Sequence, residues 1–269
     1  MKINDNIYIK CGDCLELMNE IPDEKIDLIL CDLPYGTTAC KWDTVIPFEP
    51  LWKQYKRVIK DNGAIILFGS QPFTSILITS NLKLFKYEWI WEKAVGSNFA
   101  TLKYQPMKEH ENILVFSKKT HRYYPIMQKR KGSGAERNKY QYNPSNTNKR
   151  DFINGMIATD QNTKKQQPKL RNPSSVQYFN NRENTRGLHP TQKPVGLLEY
   201  LIKTYTNKNE TVLDNCAGSF STAIACINTN RKFIGYEKEN KYFEIGKNRI
   251  LNHLELKNET IDISESQEA

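Results

Sequence analysis

The chain has 269 residues, and its 11 Phe, 4 Trp and 14 Tyr supply enough large apolar surface for a packed core, which excludes a disordered chain. No apolar run approaches the ~18 residues of a membrane span, and Asp5 and Asn6 fall where a secretory signal would be apolar, so a cytoplasmic protein with thiol cysteines is expected. With 39 Lys and Arg against 30 Asp and Glu the formal charge is +9, which favours a polyanionic partner.

In chain order, Ile7–Cys11 reads as a short strand and Cys14–Asn19 as an amphipathic helix. Ile26–Cys31 (IDLILC) is a continuous apolar run of strand length, as found in strands covered on both faces of a parallel sheet. Helix-like Leu51–Lys60 leads through the turn signal Asp61-Asn62-Gly63 into a strand at Ala64–Phe68. Further strands are expected at Tyr87–Trp91 and Asn112–Ser117. From Lys118 to Arg150 the chain then carries ten Lys and Arg and one acid, Glu136; from Asp151 to Leu188 it carries six and three. These local balances of +9 and +3 leave −3 for the rest of the chain. The basic stretch is rich in Asn, Gln, Ser and Tyr and is broken by Gly132, Gly134, Pro144, Pro168 and Pro173. Its composition suits a disordered linker, or a region that meets nucleic acid with cations for phosphates, amides for base edges and Tyr123, Tyr124, Tyr140, Tyr142 and Tyr178 for stacking. After it come a helix from Pro194 to about Thr206, a strand at Glu210–Leu213, a helix at Ser219–Ile227, a strand at Lys232–Tyr236 and a final helix at Asn240–Leu256. The last dozen residues read as a frayed polar tail. Strands alternating with helices predict an α/β fold, a doubly wound, mostly parallel sheet.

In such a sheet ligands sit beyond the carboxyl ends of the strands. Three segments belong there. The first is Asp32-Leu33-Pro34-Tyr35-Gly36, directly after IDLILC. An exocyclic amine is a weak nucleophile because its lone pair is delocalised into the ring. Two acceptors aimed at its hydrogens, the Asp32 carboxylate and the Leu33 carbonyl, would orient that lone pair and stabilise charge developing on nitrogen. Pro34 would fix the turn and Tyr35 would offer a face to an unstacked base. The second segment, Asp214-Asn-Cys-Ala-Gly218-Ser219-Phe-Ser-Thr222, joins a strand to a helix through small residues and lacks the dinucleotide pattern G-x-G-x-x-G. Glu237 closes the next strand, where an acid suits either ribose hydroxyls or a helix N-terminus. The third is His189-Pro-Thr-Gln-Lys193-Pro194, whose cation could meet an anionic group. Cys11-Gly-Asp-Cys14 is not matched by a second pair for zinc, and His110, His121, His189 and His253 are scattered without a nucleophile. Trp42 is either core or a contact to the base.

In this order the segments resemble the beta class of S-adenosylmethionine-dependent DNA amino-methyltransferases. Asp13 in IKCGDCLEL looks like the family's adenine-contacting element, DLPY like its D-P-P-Y motif, and HPTQKP, LDNCAGS and Glu237 like its cofactor half. Ile65–Gly69, Trp91–Lys93 and Glu109–Lys118 fall where the class has further strands. The resemblance implies a Rossmann-like methyltransferase domain at 1–117 and 189–256, a target-recognition insert at 118–188 and a tail at 257–269. It implies catalytic roles for Asp32, Leu33, Pro34 and Tyr35, and cofactor contacts for Asp13, Asp32, Lys193, Asp214, Gly218, Ser219, Thr222 and Glu237. Lys129, Arg130, Lys131, Arg137, Lys139 and Tyr140 of the insert are the expected contacts to double-stranded DNA. The reaction implied is in-line transfer of the sulfonium methyl to the amine of a flipped base, without a metal or a covalent intermediate, and a homodimer is expected. Asp rather than Ser at position 32 is associated with adenine N6, the alternative being cytosine N4. RNA- and protein-modifying relatives of the motif place the cofactor loop first, unlike this chain. Two positions depart from the family: Leu33 replaces a proline, where only the carbonyl matters, and Phe220 stands where a second glycine is usual. Phe220 would either reshape the cofactor loop, as in an inactive DNA-binding subunit, or pack under the following helix.

Overall fold

The computed structural model describes residues 1–37, 43–130, 170–182 and 192–267, with side chains to residue 257. Trp42, Lys131, Arg137, Lys139, Tyr140, Tyr142 and His189 therefore lie outside the described residues. Two compact units are present: Met1–Tyr124 with Ser175–Ala269, and Pro125–Ser174.

The larger unit is built on one nine-stranded sheet. In chain order its elements are β1 (Lys2–Asn4), β2 (Ile7–Cys11), α1 (Cys14–Leu17), β3 (Ile26–Cys31), α2 (Phe48–Val58), β4 (Ile59–Gly69), α3 (Phe73–Ser80), β5 (Phe85–Ser97) and β6 (Lys108–Phe116). The smaller unit has a two-stranded antiparallel ribbon, β7 (Gln128–Lys129) with β8 (Leu170–Arg171). The larger unit then resumes with β9 (Val176–Phe179), α4 (Val195–Tyr205), β10 (Thr211–Asp214), α5 (Ser221–Thr229), β11 (Lys232–Glu237) and α6 (Asn240–Gln267). The strand order is β1-β2-β11-β10-β3-β4-β6-β5-β9. From β2 to β4 all neighbours are parallel, β6 and β5 form an antiparallel hairpin against β4, and β9 closes the edge parallel to β5.

All six residues of β3 are buried, which explains the unbroken apolar run. Leu28 and Leu30 point into a core shared with α4, α5 and α6 on one face of the sheet. Ile29 and Cys31 point into a second core with α1, α2 and α3 on the other. The polar exception, Asp27, sits low on the strand, where Lys60 Nζ at 2.7 Å and the Thr211 amide at 3.0 Å satisfy its carboxylate.

The sheet and its two helical layers match the expected doubly wound, mostly parallel class, but several elements differ from expectation. Asp61-Asn62-Gly63 is not a turn. It is absorbed into β4, which advances from Ile59 to Ala64 while β3 advances from Ile26 to Leu28, so the extra residues form a bulge. Helices α2 and α5 are displaced by two or three residues from their expected spans. Helix α6 continues to Gln267 instead of giving way to a frayed tail after Leu256, since no Gly or Pro interrupts residues 257–267. Val176–Phe179, inside the expected insert, is an edge strand of the main sheet. Tyr123 and Tyr124 also belong to the larger unit. The Tyr123 ring packs against Trp89 and Tyr205, and the Tyr124 amide donates to the Thr204 carbonyl at 2.7 Å. Both are therefore tied to the larger unit, although their side chains, like that of Tyr178, remain exposed. Among the described residues no helix is long and apolar enough to cross a membrane.

Candidate active site

Strands β3 and β10 are neighbours, yet the chain leaves β3 toward β4 on one side and β10 toward β11 on the other. Such a switch point leaves a crevice at the carboxyl ends of the strands. A cavity of about 760 Å³ occupies it, lined by Gly12, Asp13, Asp32, Leu33, Pro34, Tyr35, Lys193, Asp214, Gly218, Ser219, Thr222 and Glu237 among others. The topology thus brings together in one cavity every residue assigned above to catalysis or cofactor contact.

Asp32 is the first residue past β3. The Tyr35 hydroxyl donates to its Oδ1 at 2.7 Å, and the Lys193 ammonium donates to Oδ2. Tyr35 in turn stacks on Phe73 of α3, with ring centroids 4.8 Å apart and planes 23° from parallel. It thereby anchors the carboxylate as well as lining the cavity. The Asp32-Leu-Pro-Tyr turn is closed by Asp43, which accepts from the amides of Gly36 and Thr37 at 2.8 and 2.9 Å. Lys193, expected to meet an anionic group of a ligand, is instead held by the chain's own carboxylates, between Asp32 and Glu111 of β6, with Glu111 Oε2 at 3.3 Å and the Phe68 ring centroid at 5.0 Å. Burial raises the Asp32 carboxyl above the usual range; Lys193 opposes this and Glu111 reinforces it. Lys193 is raised in turn, because its two carboxylates outweigh the cost of burying a cation.

The other half of the cavity is the loop between β10 and α5. The Thr222 hydroxyl donates to Asp214 Oδ2 at 2.6 Å and the Cys216 amide to Oδ1 at 3.2 Å. Burial still dominates and pushes the Asp214 carboxyl up to about 7. Glu237 ends β11 and fastens the loop: its Oε2 accepts from the Gly218 amide at 2.7 Å and its Oε1 from the Glu239 amide at 2.8 Å. Burial raises this carboxyl as well, against those amides. Gly218 has φ +52°, a conformation costly for residues with a Cβ. Asp13 caps α1 by accepting from the Leu15 amide at 2.9 Å, and its other oxygen meets Lys238 at 3.1 Å.

Phe220 also takes a left-handed conformation, φ +58°, which turns its ring out of the cavity. The ring is fully buried under α5 and α6, 6.2 Å from the Phe233 centroid and 6.0 Å from that of Phe243. Of the two roles open to it, packing under the helix is the one observed.

Several cavity residues escaped the sequence reading. Glu111 and Lys93 were expected only as strand positions, yet they pair at 2.5 Å on the cavity wall. Arg249 of α6 supports the loop from beneath, donating to the Ser219 carbonyl at 3.0 Å and to the Ser221 hydroxyl at 2.9 Å. Of the residues assigned to DNA contact, Lys129 and Arg130 are described. Lys129 lies in β7, and the Arg130 Nε donates to the Leu170 carbonyl at 3.0 Å within the smaller unit.

A family model described as DNA methylase matches residues 26–248. The chain is 28% identical to the Type II methyltransferase M2.MboI of Moraxella bovis, over 91% of this chain and 87% of that one. It is likewise 28% identical to the DNA adenine methyltransferase YhdJ of Escherichia coli strain K12, over 89% and 81%. Among solved structures, M1.HpyAVI in complex with SAM superposes with a TM-score of 0.58 at 23% identity, covering 90% of this chain and 99% of that one. The cytosine-N4-specific PvuII DNA methyltransferase superposes at 0.60 with 15% identity, covering 93% and 94%.

Proposed function

Because the chain belongs to the N6/N4 DNA methylase family, we propose that it transfers a methyl group from S-adenosylmethionine to the N6 amine of an adenine flipped out of duplex DNA. The observation that carries this reading is Asp32, held by two donors at the β3–β10 switch point, in one cavity with the Asp214–Thr222 loop.

The cavity fits the cofactor. Its volume of about 760 Å³ is in the range of small-molecule sites. Asp13, Asp214 and Glu237 present carboxylates suited to ribose hydroxyls and to a cationic ligand, and each Glu237 oxygen accepts one amide and keeps a further lone pair. When bound, the cofactor supplies an electrophilic sulfonium methyl. The chain's part is to bind, orient and neutralise. Asp32 and the Leu33 carbonyl accept the two amine hydrogens, turn the nitrogen lone pair toward the methyl, and stabilise positive charge as the N–C bond forms. Tyr35 keeps Asp32 in place while it does so. The nitrogen then sheds one proton, which Asp32 is positioned to accept.

Asp rather than Ser at position 32 supports adenine over cytosine, as does the adenine-methyltransferase name of the YhdJ relative. The fold is common to a cytosine-N4 enzyme, so the base is decided by product analysis. With its ring outside the cavity, Phe220 no longer argues for an inactive subunit. The test is incubation with labelled S-adenosylmethionine and unmethylated genomic DNA, followed by digestion to nucleosides. Label in N6-methyladenine is expected. Label in N4-methylcytosine would overturn the choice of base, and no label in DNA would overturn the reading itself.

A further inference from the structure

Four charged side chains form a continuous, largely buried row behind the reacting position. Lys93 of β5 meets Glu111 Oε1 at 2.5 Å, Glu111 Oε2 faces Lys193 at 3.3 Å, and Lys193 donates to Asp32. Lys93 and Lys193 are each only 8% exposed, Glu111 14% and Asp32, which faces the cavity, 23%, so the row is largely withdrawn from solvent and its charges act on one another more strongly than at the surface. Aromatic rings back both cations: Trp91 lies 5.3 Å from Lys93 and Phe68 lies 5.0 Å from Lys193. Glu111 Oε2 is buried and makes no hydrogen bond, so the Lys193 ammonium is its counter-charge.

The arrangement has a consequence for the amine. A cation bound directly to Asp32 weakens the negative field that Asp32 can offer to charge growing on nitrogen. A second carboxylate on the far side of that cation restores it, and the outer lysine moderates the second carboxylate. The row is neutral as a whole and alternates in sign. We propose that Glu111 and Lys93 are positioning residues: acting through Lys193, they set how firmly a cation holds Asp32 and so how much negative charge Asp32 presents to the reacting amine. This rests on the methyl-transfer reading above.

The other groups facing Asp32 are Tyr35 on its own turn, Cys31 on β3 and Asp214 on β10. None of them is altered by changes in the outer pair. Burial alone would push the Glu111 carboxyl up, but Lys193 and Lys93 together hold it below its usual range, so it is the ionised partner the row requires.

The two outer residues should act with opposite sign, which a merely structural role would not produce. In Glu111→Gln, Lys193 is left to Asp32 alone. The acid limb of the methyl-transfer rate should move to lower pH by about one unit, and the plateau rate should fall, because the row now carries a net positive charge. In Lys93→Met the unmoderated Glu111 should move the limb to higher pH by a similar amount. Glu111→Asp, which keeps the charge, should restore the limb of the original chain. Lys93→Met with Glu111→Gln removes both charges together, guarding against a variant that fails to fold with one unpaired buried charge; its limb should lie between those of the single variants. The experiment is single-turnover transfer of labelled methyl to unmethylated genomic DNA from pH 5 to 9 at saturating cofactor. Limbs that shift in the same direction, or do not shift, in chains that still transfer label would overturn the proposal alone. Absence of transfer by the unaltered chain would overturn the function reading, and this proposal with it.

Discussion

Gly246→Ala tests whether Phe220 is built into the fold or merely tolerated. In an exposed stretch of helix this substitution would stabilise by about 1 kcal/mol, through helix propensity. Here a Cβ at position 246 would lie 2.1 Å from Phe220 Cδ2, 3.0 Å from Cε2 and 3.1 Å from Cγ. The ring has little room to retreat: Phe233 and Phe243 flank it, and a Cβ at Gly235 would stand 2.9 Å from Cε1. Overpacking of a filled core costs about 1–3 kcal/mol, and the clash falls on a ring rather than on the free end of a side chain, which places it toward the upper end. Net destabilisation of about 1–2 kcal/mol is expected, lowering Tm by about 2–4 °C per kcal/mol. Phe220→Ala alone should cost about 3–5 kcal/mol, with the left-handed strain at position 220 unrelieved because Ala keeps a Cβ. In that background Gly246→Ala should become neutral or stabilising, because the space is open. The assay is a double-mutant cycle of urea unfolding with a coupling energy of about 2 kcal/mol. Additive effects, or a Gly246→Ala variant as stable as the original chain, would refute the packing argument.

Three further outcomes follow from the site and the insert. Since burial raises the Asp32 carboxyl and the reaction uses its ionised form, the transfer rate should fall as pH drops through a midpoint above ~4, the ordinary Asp value; a rate flat down to pH 4 would contradict this. Asp214 has its pKa raised to about 7 in the fold, against ~4 when unfolded, so the native state holds the proton more tightly and stability should decline as pH rises between those values. Asp214→Asn should flatten that slope in urea melts, and an identical slope in both proteins would remove Asp214 as its source. Replacing Lys129, Arg130 and Lys131 with Gln should weaken DNA binding and lower the salt slope by up to about 2.7, with cofactor affinity unchanged. Unchanged DNA affinity would take the insert out of the interface.

The residues legible in the sequence share a physical reason. Asp32, Asp214 and Glu237 each end a strand that reads as apolar or follows a turn, and in a parallel sheet all such ends converge on one edge. Glu111 reaches the same edge by the opposite logic. β6 runs antiparallel to β4, so its beginning, not its end, lies beside Asp32, and the chain gives no local sign of that reversal; Lys93, in the second half of β5, pairs with it from the neighbouring strand. Val176–Phe179 was hidden in a polar stretch because an edge strand buries little: only Gln177 is buried along it. The accommodation of Phe220 depends on Gly235 and Gly246, which are distant in sequence and adjacent only after α6 docks. The bulge at Asp61–Gly63 looked like a turn because the same residue types serve both, and the pairing partner decides which forms.

The most direct test of the catalytic role is the rate of labelled methyl transfer into genomic DNA for Asp32→Ala beside the original chain, at saturating S-adenosylmethionine. Removing the acceptor that stabilises charge on nitrogen should slow transfer by at least about 10²-fold, with the remaining label still in N6-methyladenine. Transfer by Asp32→Ala at a rate close to the original would contradict the assignment of Asp32 and the mechanism built on it.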